Sequence, residues 1–152
     1  MSDATARPWT PPEGMTKEAA QDWRAFYAKI RRLYGITPEQ YRALYLAQLG
    51  RCFVCRTAKG IHPDDPKSRG GRRLGVDHNH LIGSGRPDAV RALLCTGGDR
   101  TCNRIIGWLD AAALGRARQV LTLGPAQEVL ARPGLTDAEL TGFLVPDWTV
   151  QP

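Results

Sequence analysis

Residues Asp77, His78, Asn79 and His80 form a run of one carboxylate, one amide and two imidazoles, and two of the chain's three histidines fall within it. A second short string, Cys102-Asn103, joins a thiol to an amide. Side chains of these types suit phosphodiester hydrolysis, which needs a base for the attacking water and a cation to bear the charge developing on the leaving oxygen. His78 suits the base through the near-neutral reference pKa of imidazole. Asp77 and Asn103 offer oxygen ligands to Mg2+ or a similar divalent ion such as Mn2+, and one carboxylate with one neutral amide leaves positions open for phosphate and water. His80 either orients the phosphate or serves as a second general acid or base. Neighbours in a regular strand face opposite sides, so a bulge or strand end must turn Asp77 and His78 toward one site.

The chain has four cysteines. Cys52 and Cys55 form a C-x-x-C pair, and Cys95 and Cys102 follow some forty residues on, separated by the longer loop TGGDRT. In a reducing compartment four such thiols predict a tetrahedral zinc site rather than disulfides. A closed site of four thiolates has no open position, so this zinc would hold the fold and would not activate water. Taken singly the signals are moderate, since an Asp-His pair is more often structural than catalytic and an asparagine opening a helix is more often a cap. Their combination with the cysteine frame is the specific part.

Several elements must position these groups. Residues 1–15, rich in proline, read as a flexible leader. Trp23, Phe26/Tyr27, Ile30 and Leu33/Tyr34 then recur at helical spacing up to Gly35, and Thr37-Pro38-Glu39-Gln40 is a capping box that opens a second helix with Tyr41, Leu44, Tyr45 and Leu49 on its buried face. These aromatic stripes are expected to be core rather than base-stacking platforms. Residues 16–50 are thus a helical hairpin that Gly50 closes. The loop GIHPDDPKSRGGRRLG, residues 60–75, is either a solvated hairpin tip or a basic finger that touches DNA backbone through Lys67, Arg69, Arg72 and Arg73, with His62 a surface residue. Leu74-Gly75-Val76 leads into the Asp-His string as a short strand and AVRALL, residues 89–94, forms the next. From Cys102 a helix runs to about Val120, with Gly115 a possible break and Gly124-Pro125 its end. Short helices follow, from Pro125 to Ala131 and after the capping box Thr136–Glu139.

The chain carries a net charge of +6, and its distribution says more than the total: residues 56–104 hold ten bases against five acids, residues 105–152 three against five. A basic middle with a mildly acidic tail fits a nucleic-acid footprint beside the motifs. No run approaches the ~18 apolar residues needed to span a bilayer, and the first nine residues lack the apolar core of a signal peptide. A cytoplasmic protein with no membrane partner is expected.

From Tyr34 to Asp110, about half its length, the chain resembles the recombination endonuclease VII family of HNH-type nucleases, known from bacteriophages. The residues that carry the likeness are YGITPEQY (34–41), CFVC (52–55), VDHNH (76–80), VRALLC (90–95) and CNRIIGWLD (102–110). The resemblance implies an α+β fold with a zinc-braced ββα-metal (HNH or His-Me finger) core at 51–122, N-terminal helices before it and a helical arm at 123–152. Residue by residue, Cys52, Cys55, Cys95 and Cys102 would bind structural zinc, Asp77 and Asn103 the catalytic Mg2+, His78 would be the general base, and His80 matches a further active-site histidine. It also implies a Holliday-junction resolvase, an enzyme on branched DNA working as a homodimer, and a bacterial host cytoplasm if phage-encoded. Two other readings remain: a sequence-reading nicking or homing-type endonuclease, and a non-catalytic zinc-stabilised DNA-binding module.

Overall fold

A computed structural model describes residues 8–66, 72–80, 82–97, 101–111 and 126–144. Helix α1, Lys17–Tyr34, is capped by the Thr16 hydroxyl, which accepts from the Ala19 amide, and it ends at Gly35 in the left-handed conformation. Helix α2, Pro38–Ala47, opens on the expected capping box, with Thr37 and Gln40 each accepting from the other's backbone amide. It ends three residues before Gly50. Gln48 is its C-cap, and the Leu49-Gly50 pair, both at positive φ, turns the chain into the cysteine hairpin.

The two helices bury one aromatic core. Trp23 and Tyr41 are fully buried and Tyr27 nearly so; Tyr27 stacks on Trp23 at 5.3 Å, and Phe26 meets Tyr41 edge-on at 5.0 Å. These rings are core, as their spacing predicts. Trp9 packs on Tyr27 at 5.2 Å, so the segment preceding α1 touches the core at Trp9. His62 is half-buried, not a plain surface residue: its ring meets Tyr45 edge-on and its Nδ1 accepts from the Asp64 amide.

Strands β1, Gly75–His78, and β2, Val90–Leu94, form a two-stranded antiparallel sheet, giving a mixed α and β architecture. Pro87–Ala89 is a 3-10 turn, so β2 starts one residue later than the AVRALL pattern suggests. All five β2 residues are buried. Its outer edge is closed by Gln48, whose side-chain amide donates to the Leu93 carbonyl and accepts from the Leu93 amide, both at 2.8 Å. The Tyr41 hydroxyl donates to the Leu74 carbonyl and fastens α2 to the start of β1.

Helix α3 spans Cys102–Ala111. The expected continuation to Val120, with Gly115 and Gly124-Pro125, lies outside the described residues, as do Lys67 and Arg69 of the basic loop. Beyond it, Ala126–Leu130 and Asp137–Leu140 are short helices, the second with the expected Thr136–Glu139 capping box. Gln127 donates to the Val90 carbonyl at 2.6 Å, and the Gly142 and Leu144 amides donate to carbonyls at the end of α2. Arg42 ties the second short helix to α2 through a two-pronged pair with Asp137 at 2.6 and 2.9 Å, and also pairs with Asp64. No helix among the described residues is long and apolar enough to cross a membrane.

Candidate functional site: four thiols beside a bulged strand

The cysteine frame closes as its spacing predicts. Residues 50–60 form a hairpin in which the Cys52 amide donates to the Ala58 carbonyl and the Gly60 amide to the Gly50 carbonyl. The Phe53 amide donates to the Leu93 carbonyl and docks this hairpin on β2, whose chain continues into Cys95. The four Sγ atoms of Cys52, Cys55, Cys95 and Cys102 lie within 4.8 Å of one another, and none is in a disulfide. Four sulfurs at about 2.3 Å from one tetrahedral ion would be about 3.8 Å apart, so the cluster can close on a structural metal such as zinc with little movement. The longer loop between Cys95 and Cys102 does not keep the second pair away.

The thiols' acidities point the same way. Burial pushes the Cys52 thiol up against backbone hydrogen bonds, and burial, then the neighbouring Cys95 and Cys52 thiols, drive Cys102 up. Burial acts on Cys55 too, but hydrogen bonds from the Thr57 hydroxyl and the Ala58 and Thr57 amides outweigh it and bring its thiol down to about 6. Four thiols this close resist ionising together unless a cation shares their charge.

The alternation of side chains along a strand demands a bulge or a strand end at Asp77-His78, and both are present. Asp77 pairs with Ala92 but His78 with Val90, so the register slips between them, Arg91 is the extra residue on β2, and β1 ends at His78. Arg91 turns its guanidinium onto Asp77: Nε donates to Oδ2 at 2.7 Å and Nη2 to Oδ1 at 2.9 Å, with both side chains under a tenth exposed. The His78 and His80 rings stack at 4.3 Å, and Tyr34, at the end of α1, lies 5.0 Å from His78. Burial, and then the Asp77 charge, hold the Tyr34 hydroxyl above its ordinary value, so the ring that touches His78 also feels Asp77. Asp77, His78 and His80 therefore share one neighbourhood.

Asn103 reaches the same strand from α3. Its amide donates to the Cys95 carbonyl at 3.3 Å. A Cβ added at Gly75 would strike the Thr96 methyl and lie 3.7 Å from Asn103 Nδ2. Gly75 and Asp77 are two apart before the bulge and so face the same side, which puts the Asn103 amide on the Asp77 face of β1. The absence of a side chain at Gly75 leaves room for the Thr96 methyl beside it. The donor set, a carboxylate and an amide carbonyl, fits a hard oxygen-seeking cation. Both Asp77 oxygens accept from Arg91, which fixes the direction in which the carboxylate faces.

Arg91, Tyr34 and Gly75 were not singled out by the sequence. An arginine inside the apolar run AVRALL was the available signal for the first: a buried guanidinium needs an acid, and the adjacent strand holds one. Gly75 and Tyr34 carry no comparable local mark.

The model of the family described as recombination endonuclease VII matches residues 27–122, and this chain belongs to that family. Among similar proteins, the Gene 59 protein of Mycobacterium phage D29 is 37% identical over 116 residues, which cover 74% of this chain and 59% of that one. The Gene 59 protein of Mycobacterium phage L5 is 33% identical over 121 residues, 78% and 61% of the two chains. The chain thus spans about three-fifths of the length of these relatives. No solved structure matches it.

Proposed function

We propose that this chain is an HNH-type DNA endonuclease that hydrolyses phosphodiester bonds with Mg2+ or Mn2+ and prefers branched or distorted duplex such as four-way junctions. The observation that supports it most is the meeting of Asp77, His78, His80 and Asn103 around one bulged strand end beside four clustered thiols. In this reading β1, β2 and α3 are the ββα-metal core, with zinc on Cys52, Cys55, Cys95 and Cys102 as its brace.

His78 takes the proton of the attacking water as its oxygen bonds to phosphorus, and the bond from phosphorus to the leaving oxygen breaks. Asp77 and Asn103 would hold the divalent ion, which when bound stabilises charge on the leaving oxygen. His80, stacked on His78, keeps that ring in register and orients the phosphate. Arg91 fixes the Asp77 carboxylate so that it keeps one orientation toward the site. A homodimer working in a bacterial host cytoplasm completes the reading, and sedimentation would test the dimer.

The test is an end-labelled four-way junction beside a linear duplex built from its arms, each with Mg2+ and with EDTA. Cutting of the junction alone, with Mg2+ only, is expected. Cutting of both substrates would favour a sequence-reading or general nuclease, and binding without cutting a non-catalytic module.

A further inference from the structure

One cluster of cations lies outside the thiols and the candidate nuclease residues. Lys59, at the end of the cysteine hairpin, and Arg72 and Arg73, just before β1, line a cleft of about 190 Å3 together with Thr96 and Thr101. Among the described residues no acid lines it, and none of the three cations pairs with a carboxylate. Their neighbours hold the two arginines in place. The Arg73 guanidinium lies over the Trp23 ring at 4.3 Å and the Phe26 ring at 5.3 Å, and its buried Nε has no hydrogen-bond partner. The Thr96 hydroxyl donates to the Arg73 carbonyl at 3.2 Å. Arg72 lies along the backbone of Gly97, a residue at φ +94° where its side chain passes 3.2 Å from the position of a Cβ.

Three positive groups with no counter-charge among the described residues, two of them planar forks, form a receptor for a phosphate oxyanion. The cleft also adjoins the candidate nuclease centre, because Thr96 lines it and stands with Asn103 against Gly75. We infer that this cleft takes a backbone phosphate of the DNA strand next to the one being cut, fixing the duplex relative to His78. This rests on the DNA-cleaving reading above. Contacts of this kind position a duplex without reading its sequence.

The test is binding of a fluorescent four-way junction in EDTA, where nothing is cut, across a KCl series. Wild type is compared with Lys59→Ala/Arg72→Ala, with the charge-conserving Lys59→Arg/Arg72→Lys, and with Lys17→Ala/Arg132→Ala, which removes equal charge elsewhere. The first variant should bind roughly tenfold more weakly, with a salt slope less steep by about one, the loss of one phosphate contact. The second should keep the wild-type slope, and the third should change both quantities much less. Melting temperature and zinc content are expected to be unchanged in the first variant, whose substituted side chains are exposed. Equal affinity and slope in wild type and the first variant would overturn the cleft while leaving DNA binding intact, and so would an equal drop in the third. A wild type that binds no DNA would overturn the DNA reading itself, and the cleft with it.

Discussion

Removing Arg91 should remove a large share of the protein's stability, and the size of the loss follows from the pair it breaks. Two hydrogen bonds of 2.7 and 2.9 Å join its guanidinium to Asp77, and the side chains are 6% and 8% exposed. Arg91→Met keeps most of the aliphatic stem but leaves a buried carboxylate without its counterion. Breaking one side of a buried pair costs roughly 3–5 kcal/mol, against about 5–15 kcal/mol for a whole domain. With a urea slope of about 2 kcal/mol per molar, the midpoint of unfolding should fall by roughly 2 M. Arg91→Lys, which keeps the charge but not the fork, should lose less. The double variant Asp77→Asn/Arg91→Met leaves no orphaned charge and should be more stable than Arg91→Met alone, so that the cycle of variants gives a coupling of about 2 kcal/mol or more. An Arg91→Met protein within about 0.5 kcal/mol of wild type, or a double variant no better than the single, would refute the view that this pair sets the Asp77 carboxylate.

Four further outcomes are expected. His78→Ala should slow junction cleavage by about 10²–10⁴-fold with the melting temperature and zinc content unchanged; unfolding of the variant would make His78 structural. Wild type should carry one zinc per chain by atomic emission, and Cys52→Ser, which alters a fully buried thiol, should lose it together with the cooperative melt; a wild-type melt unmoved by a zinc chelator would exclude a stabilising metal. Arg42 holds the exposed Asp137 carboxyl below its usual range in the folded state, so the pair contributes in full above about pH 4, the unfolded value, and is lost as pH falls through the folded one. Denaturant melts between pH 2 and 5 should show at most about 1 kcal/mol of this, and none in Asp137→Asn. Finally, Gly75→Ala should cost about 1–3 kcal/mol by overpacking against Thr96, and Thr96→Ser, which removes the offending methyl but keeps the hydroxyl that binds the Arg73 carbonyl, should restore most of it; no recovery in the double variant would place the strain elsewhere.

The features legible in the sequence are those whose cause is local. Both capping boxes close within three residues, so Thr37-Gln40 and Thr136-Glu139 could be read directly. The aromatic stripe of α1 follows from helical spacing, and the need for a bulge at Asp77-His78 follows from the two-residue period of a strand. The partners were hidden because they depend on how that bulge is made. A slip on β2 makes Arg91 the extra residue and brings it to Asp77 across 14 positions; a regular pairing would have turned it elsewhere. Gln48 reaches Leu93 across 45 positions, a contact set by the turn at Leu49-Gly50 rather than by any pattern in α2.

The same dependence explains why the thiols and the candidate nuclease residues are interleaved along the chain. Asn103 follows Cys102 directly, and its amide is held by the Cys95 carbonyl. Cys95 continues β2, which pairs with β1 and presents Arg91 to Asp77. A metal gripping Cys95 and Cys102 would therefore fix the end of β2 against the start of α3, the two elements that carry Arg91 and Asn103. In so small a sheet two strands cannot hold a carboxylate, two imidazoles and an amide in register by themselves. A closed metal brace four residues beyond Arg91 and directly before Asn103 would supply that rigidity without a larger core.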